Sequence, residues 1–231
     1  MKNLDYSKKP IKVVHELTND NRQTRMDFCQ KWIDADFSNI WFSEETIFTI
    51  DETKAKIWIK NNDNWVIERK ERSYINRQIH IWSGIYMRGR TEIFVYSSSI
   101  NSDAYMTCLE ESLFPPSAKF YYRRKVRLLQ DGARAHTSRA TKEFCQENSI
   151  EIIQLPGWSP DLNPIEIIWG LMKKKWIKRL LLSDIQTKQQ IIQNNQEIWK
   201  EITQETIQNC IIHIKLICNK QYNQMERRYI Q

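Results

Sequence analysis

Glycine and proline, the residues that most often interrupt regular structure, are scarce in this sequence. Its 231 residues include 5 glycines and 6 prolines, and we find no internal repeat and no low-complexity block. The scarcity argues against long flexible linkers, which are usually rich in these residues. Three of the prolines nevertheless fall in one string, PGWSPDLNPIEIIWG, at 156–170. This string predicts a rigid corner in an otherwise regular chain.

Cysteine motifs and long apolar runs are also missing. The 5 cysteines are scattered and form no Cys-x-x-Cys pair, which argues against a disulfide framework and a zinc knuckle. We therefore expect a reducing, intracellular environment. No apolar run approaches the roughly 18 residues of a membrane span, and the first residues lack the apolar run of a signal peptide. Cys210, His213 and Cys218 have no fourth zinc ligand, and we expect them to be helix residues, two of them on an apolar stripe.

Charge and composition narrow the class of partner. The chain has 35 Lys and Arg residues against 28 Asp and Glu residues, a net charge of +7. This balance favours an anionic partner, although it says little about the fold. Hydrophobic residues make up 41% and charged residues 27% of the chain, as in soluble globular proteins. The length suits one large domain or two small ones.

Apolar periodicity predicts helices and strands along the chain. Helices are expected at 18–33, with Thr18 as N-cap, and at 102–114, 138–149, 164–182, 188–202 and 205–221. Strands are expected at 125–131, 150–156, 39–50, 56–60 and 79–98, the last as a hairpin that turns near Arg88, Gly89 and Arg90. This order favours an α/β layer fold with a mixed sheet. Residues 1–16 are polar and are expected to be a tail or linker, which leaves 17–231 as the folded domain.

Two carboxylates stand at the ends of predicted elements. Asp131 follows the apolar strand VRLLQ, and ligands usually bind at the carboxyl ends of strands in α/β sheets. An aspartate that starts a turn is the alternative. Glu166 lies off the apolar stripe of its helix, and one turn further Gly170 leaves its surroundings open. The alternative for Glu166 is a capping box, with Asn163 as N-cap and Pro164 at the first helical position.

A third acidic position comes earlier, in the string FSEE. It contains Glu44 and Glu45, near the end of the first predicted strand. Because strand side chains alternate between faces, only one of the two can point at a given site. Acidic groups from two strand ends and one helix start can converge on a single edge of a sheet. Such a cluster suits two divalent cations in phosphoryl transfer, and its oxygen ligands favour Mg²⁺ or Mn²⁺.

Four strings follow one another in a characteristic order. They are WFSEETIF at 41–48, IHIWSGIYMRGRTEIFV at 79–95, LLQDGARAHTS at 128–138 and WSPDLNPIEIIWG at 158–170. With 34 residues between Asp131 and Glu166, they resemble the catalytic domain of Tc/mariner-type DDE transposases. The resemblance runs from about residue 17 to near the end of the chain. It implies an RNase H-like α/β fold, a mixed sheet flanked by helices, with extra C-terminal helices.

The resemblance also implies a chemistry. Asp131 matches the second catalytic carboxylate of the family, Glu166 matches the third, and Glu44 stands at the first position. With two Mg²⁺ or Mn²⁺ ions, these residues would cleave DNA and transfer its strands. His136 could contact DNA, orient a ligand or stabilise its turn. Candidate DNA contacts are therefore the side chains beside these motifs: Arg134, His136, Lys173 and Lys174.

Three departures from the family pattern bear on activity. Glu44 replaces an aspartate, and a misplacement of about 1 Å can cost roughly 100-fold in rate. Gly132 and Arg134 replace an asparagine and a proline. Only 16 residues precede the first helix, so we do not expect the family's N-terminal helix-turn-helix modules in this sequence.

Two functions therefore remain open. The first is a metal-dependent DNA endonuclease and strand transferase, and the second is an inactive relic that binds DNA or a transposase partner. Both imply a nuclear protein that binds DNA and forms a homodimer or joins a transposase partner, with no membrane and no small-molecule substrate. Trp158 is expected in the core, with stacking on a base as the alternative.

Overall fold

The computed structural model describes residues 17–50, 78–96, 100–115, 125–183, 185 and 187–229, with side chains up to residue 223. The tail predicted at 1–16 and the strand predicted at 56–60 lie outside these residues. None of the described helices is both long enough and apolar enough to cross a membrane.

The sheet is mixed, as the sequence predicted. Its strands are β1 (Ile40–Thr49), β2 (Gln78–Tyr86), β3 (Gly89–Arg90), β4 (Phe94–Tyr96), β5 (Val126–Gln130) and β6 (Ile150–Gln154). The order is β3-β2-β1-β5-β6, and β4 also pairs with β2. β1 runs antiparallel to β2 and parallel to β5, which is parallel to β6. The predicted hairpin is confirmed, because Tyr86 pairs with Gly89 across a two-residue turn.

The described α-helices include the six that the sequence predicted, the last of which extends to Tyr229, and a short one at Arg134–Thr137 that was not predicted. They are α1 (Asn19–Trp32), α2 (Ser102–Cys108), α3 (Arg134–Thr137), α4 (Arg139–Glu147), α5 (Pro164–Leu182), α6 (Lys188–Glu201) and α7 (Gln204–Tyr229). The hydroxyl of Thr18 accepts a hydrogen bond from Asn21 N at 3.2 Å, so Thr18 is the N-cap of α1. After α2 the chain continues through a π-helical turn, Leu109–Leu113.

The sheet has a hydrophobic core on each face, because neighbouring strand residues point in opposite directions. In β1, Phe42 belongs to the larger core, which α1, α5, α6 and α7 cover, and Trp41 belongs to the smaller one, which α2 and α4 cover. The chain therefore forms three layers, with the sheet in the middle. Cys210 and Cys218 are buried in the larger core, and His213 is exposed.

A buried arginine ties the rigid corner to α1. Arg25 is only 4% exposed. Its guanidinium donates to Asp161 Oδ1 at 2.8 Å, to Asp161 Oδ2 at 2.6 Å and to the carbonyl of Trp158 at 2.8 Å. Bidentate pairing fixes orientation as well as distance. From α7, Gln221 donates to the same Asp161 carboxylate at 3.4 Å. The first and last helices thus both hold the corner.

Trp158 corrects one expectation. It is 64% exposed, so the prediction that it lies in the core was wrong. Its backbone has a φ of 57°, a left-handed conformation that is uncommon for a bulky residue. The hydrogen bond from Arg25 to its carbonyl restrains this backbone and turns the indole outward.

We expect Asp161→Asn to lower the free energy of unfolding by about 2–3 kcal/mol, because it leaves the buried guanidinium of Arg25 without a counter-charge. Urea denaturation at neutral pH measures the loss. Glu151→Gln is the control: it breaks the partly exposed Arg127–Glu151 pair, 3.3 Å apart, and should cost at most about 0.5 kcal/mol. Equal losses would show that the Arg25 pair does not hold the corner.

Candidate active site

The parallel pairing of β1 and β5 brings the first two carboxylates to one edge of the sheet. The described register ends with Phe42 opposite Leu129. Continuing it by two residues places Glu44 beside Asp131, which directly follows the last residue of β5. Both belong to the side of the sheet that carries Phe42 and Leu129, because each lies two residues beyond one of them.

The start of α5 brings Glu166 to the same side. Buried Ile165 and Ile168 hold the helix against the larger core, and Glu166 is half-buried. A Cβ added to Gly170 would meet nothing within 4 Å, apart from the local helix backbone and chain neighbours. The space beside Gly170, one turn after Glu166, is therefore open, as the sequence predicted.

The alternative role of Glu166 in a capping box is wrong. Asn163 precedes α5 and Pro164 occupies the first turn, but the side chain of Asn163 makes no capping hydrogen bond. Its Nδ2 instead donates to the carbonyl of Ser43, 3.1 Å away. A local sequence motif could not reveal this partner, which lies 120 residues away.

Mutual repulsion and burial act on Glu44. Burial, together with the nearby charges of Glu45, Asp131 and Glu166, raises the pKa of Glu44 to about 8. One oxygen of Glu44 accepts a hydrogen bond from the backbone N of Glu45 at 3.1 Å. The side chain, one methylene longer than aspartate, thus curls back along its own strand.

Burial also raises the pKa of Glu166, although the positive charge of Lys173 opposes the shift. The same burial that makes an isolated carboxylate costly makes it a good partner for a cation.

His136 bridges Asp131 to a carboxylate that the sequence analysis had not assigned. Its Nδ1 lies 2.7 Å from Asp131 Oδ1, and its Nε2 lies 3.0 Å from Glu45 Oε1. Burial alone would lower the pKa of His136, but its hydrogen bonds to the two carboxylates and their charges together raise it to about 10. The imidazolium is therefore charged at neutral pH and donates to both. Because strand side chains alternate, Glu45 points to the face opposite Glu44. This alternation is the sequence signal from which the position of Glu45 could have been predicted.

The same contacts keep Asp131 ionised and oriented. The hydrogen bond from His136 lowers the pKa of Asp131, burial opposes it, and the backbone N of Ala133 donates to the same Oδ1 at 3.0 Å. Asp131 is 41% exposed. Its Oδ2 makes no hydrogen bond within the described part of the chain.

The ring of Tyr105 supports this arrangement from the smaller core. It lies 4.1 Å from the imidazole of His136, measured between ring centroids. Its hydroxyl donates to Gln130, and the amide of Gln130 donates to the carbonyl of His136 at 3.4 Å. His136 therefore cannot rotate freely between its two carboxylates.

A divalent cation fits this edge in the chemistry of its donors. Carboxylate oxygens are the ligands that Mg²⁺ and Mn²⁺ prefer, and a cation would relieve the repulsion that acts on Glu44. Among the described residues, no three His, Cys, Asp or Glu side chains already stand in a metal-binding cluster. The hydrogen bond from the backbone N of Glu45 to Glu44 contributes to the absence of such a cluster, because it turns the Glu44 carboxylate along its own strand.

The candidate DNA contacts differ in accessibility. Arg134 and Lys174 are exposed, and Lys173 is half-buried near Glu166. His136 is 3% exposed and both of its ring nitrogens contact carboxylates, so neither nitrogen is free for DNA in this structure.

Two other basic residues of α5 form ion pairs with carboxylates of the next helix. Lys175 pairs with Glu201 at 2.6 Å. Arg179 pairs with Glu197 at 2.6 Å and also with Glu201. These pairs join α5 to α6.

A family described as DDE superfamily endonuclease matches residues 39–188, more than half of the chain. The chain belongs to this family. The matched segment contains Glu44, Glu45, Asp131 and Glu166, the rigid corner and the whole of α5.

Two curated relatives of this DDE chain are nematode transposases. It is 29% identical over 162 residues to the transposable element Tc3 transposase of Caenorhabditis elegans. The aligned residues cover 68% of this chain and 47% of that transposase. The chain is 22% identical over 182 residues to the transposable element Tcb2 transposase of Caenorhabditis briggsae. Here the aligned residues cover 76% of this chain and 64% of that transposase. The chain thus spans about half to two thirds of their length.

Solved structures confirm the RNase H-like fold. The Mos1 mariner paired end complex with Mn superposes with a TM-score of 0.78 at 15% identity, over 96% of this chain and 67% of that one. The catalytic domain of Mos1 mariner transposase gives a TM-score of 0.69 at 15% identity, over 92% of this chain and 97% of that domain. The resemblance to the Tc/mariner catalytic domain is confirmed.

We expect Glu44→Gln to stabilise the metal-free protein at pH 8 and not at pH 5. The pKa of Glu44 rises from 4.5 to about 8 on folding, so its contribution to stability is present at low pH and is lost as pH rises between these values. Melting in EDTA should show a gain of roughly 5 °C at pH 8. Glu147→Gln, at an exposed position of α4, is the control. A gain that is equal at both pH values would contradict the burial of Glu44.

Proposed function

We propose that this chain is a Tc/mariner-type transposase domain that cleaves DNA and transfers the resulting 3′ end with divalent cations. The observation that carries the proposal is the placement of Glu44, Asp131 and Glu166 at one edge of an RNase H-like sheet. Family membership supports the same class of reaction. A water or a DNA 3′-hydroxyl would be the nucleophile, and the bond broken would be a phosphodiester.

The side chains have distinct roles in this proposal. Glu44, Asp131 and Glu166 hold the cations, and His136 keeps Asp131 ionised and oriented through its 2.7 Å contact. Glu45 holds the far side of the imidazole. The rigid corner presents Glu166 on the first turn of α5.

Mg²⁺ or Mn²⁺, as two ions, is the cofactor we propose. The solved Mos1 paired end complexes contain Mn in one case and Mg in another. When bound, such cations activate the attacking hydroxyl and stabilise the leaving oxygen. The half-buried Glu44 and Glu166 favour a cation over water as a neighbour, which supports this assignment.

DNA is the proposed partner. The net charge of +7 favours a polyanion. Arg134, Lys173 and Lys174 lie near the carboxylates in sequence, and the charge of Lys173 acts on Glu166. Two of the similar solved structures are a Mos1 transposase paired-end complex with the left transposon end and a pre-cleavage Mos1 transpososome. They support pairing with a second subunit, either as a homodimer or with a transposase partner. A nuclear location follows from such a substrate.

One observation favours a second function, an inactive relic that binds DNA or a transposase partner. Glu44 bonds the backbone of Glu45 at 3.1 Å instead of projecting from the strand. If this contact persists beside DNA, the first position supplies no ligand, and only the binding role is retained.

A nicking assay on supercoiled plasmid with Mg²⁺ or Mn²⁺ distinguishes the two functions. We expect Glu44→Asp to nick faster than the natural chain by about 10- to 100-fold, because the shorter side chain corrects a displacement of about 1 Å. We expect Asp131→Asn to abolish nicking in both backgrounds. Nicking by the natural chain supports the enzyme, and nicking by Glu44→Asp alone supports the relic.

Nicking that survives Asp131→Asn would contradict the catalytic role of Asp131. Absence of nicking by both the natural chain and Glu44→Asp, with intact folding by circular dichroism, would remove the endonuclease proposal for this chain by itself.

The DNA contacts predict a specific salt dependence. Lys174→Gln should weaken binding to a short duplex and reduce the slope of log K against log salt by about 1, because one phosphate contact is lost. Fluorescence anisotropy at several salt concentrations measures this slope. Lys142→Gln, an exposed lysine of α4 on the other face of the sheet, should leave it unchanged. Equal slopes for both variants would exclude Lys174 from the DNA surface.

A further inference from the structure

Asn163 is a buried amide that joins β1 to the start of α5. It is 1% exposed, and its Nδ2 donates to the carbonyl of Ser43 at 3.1 Å. The backbone carbonyl of Asn163 accepts a hydrogen bond from the backbone N of Glu166, also at 3.1 Å. Because Ser43 precedes Glu44, Asn163 is bonded both to Glu166 and to the residue next to Glu44.

This link lies where two strands part. The described pairing of β1 with β5 ends at Phe42 and Leu129. The hydroxyl of Ser43 still donates to the carbonyl of Leu129, 3.2 Å away. Beyond that point the Ser43 carbonyl turns to the corner and binds Asn163. Two side-chain hydrogen bonds thus join β1 to α5: Asn163 binds the Ser43 carbonyl beside Glu44, and Trp176 Nε1 donates to the Thr49 carbonyl at 3.0 Å at the far end of the strand. Of these two, the Asn163 bond is the one next to Glu44.

The other atom of this amide supplies a second observation. Asn163 Oδ1 is buried and has no hydrogen-bond partner within the described part of the chain. Buried polar atoms are nearly always paired, and those without a protein partner commonly bind water or an ion. Oδ1 and Nδ2 share one carbon atom, so Oδ1 also lies close to the Ser43–Glu44 segment.

We propose that Asn163 is a positioning residue for the cation site. Its Nδ2 fixes β1 against α5, so that Glu44 and Glu166 face one cation, and its Oδ1 accepts a hydrogen bond from a water in the hydration shell of that cation. The inference rests on the proposed function, because it takes Glu44 and Glu166 as cation ligands. Losing such an outer contact typically lowers metal affinity about 10- to 100-fold.

The chain contains a matched control for this residue. Asn195, in α6, is also fully buried, and its Nδ2 donates to a backbone carbonyl, that of Ile191 at 2.9 Å. Its Oδ1 also has no partner among the described residues. It carries the same chemistry as Asn163, but it lies within the larger core and is bonded to its own helix.

Thermal melting of the 231-residue chain with increasing Mn²⁺ tests the proposal without any DNA substrate. The measured quantity is the Mn²⁺ concentration that gives half of the maximal rise in Tm. We expect Asn163→Ala and Asn195→Ala each to lower the metal-free Tm. Only Asn163→Ala should raise the Mn²⁺ midpoint, by about 10- to 100-fold. If it does not melt cooperatively, Asn163→Ser takes its place, because serine is too short to reach the Ser43 carbonyl.

The outcomes separate this inference from the proposed function. An unchanged Mn²⁺ midpoint in the Asn163 variant overturns the positioning role and leaves the cation site standing. A tenfold or larger shift in both asparagine variants also overturns it, because the effect is then one of stability. A natural chain whose Tm does not respond to Mn²⁺ overturns the cation site, and the positioning role with it.

Discussion

Repulsion among carboxylates at one edge of the sheet is the constraint on which this structure depends. The charges of Glu45, Asp131 and Glu166 act on Glu44 there, and the fold has to hold Glu44 near them. Several buried contacts do so: the imidazolium of His136 sits between two of the four, the Asn163 amide joins the strand to the helix, and the guanidinium of Arg25 restrains the corner. Holding these groups together lowers the stability of the fold, and a bound cation would complete their geometry. Such a loss of stability is typical of functional sites.

The regular elements could be predicted because their signals are local. The helix predicted at 164–182 has those bounds, since Pro164 fits only its first turn and the apolar stripe continues to its last. The edge position of Asp131 followed from a strand that ends in a charge. The contacts that complete the site were not predictable, because the partners of Asn163 and His136 are 120 and 91 residues away.

Trp158 shows how a long-range contact reverses a local expectation. Nothing in its own string distinguishes it from a core tryptophan. Its exposure depends on a backbone conformation that Arg25, on another helix, restrains by 2.8 Å hydrogen bonds to the Trp158 carbonyl and to Asp161. Composition also could not show how the basic residues of α5 divide. Lys175 and Arg179 pair with carboxylates of α6, while the charge of Lys173 acts on Glu166.

The helices at the carboxyl end have a consequence for how this domain is delimited. The family match stops at residue 188, yet Trp169 stacks on Trp199 with ring centroids 5.5 Å apart, and the indole of Trp199 donates to the carbonyl of Thr91. The unit that similarity defines is therefore shorter than the unit that folds. A polypeptide trimmed to the matched segment would lose α1, α7 and nearly all of α6, so that only α5 would still cover the face of the sheet that carries the larger core. Loss of solubility would then be mistaken for loss of function.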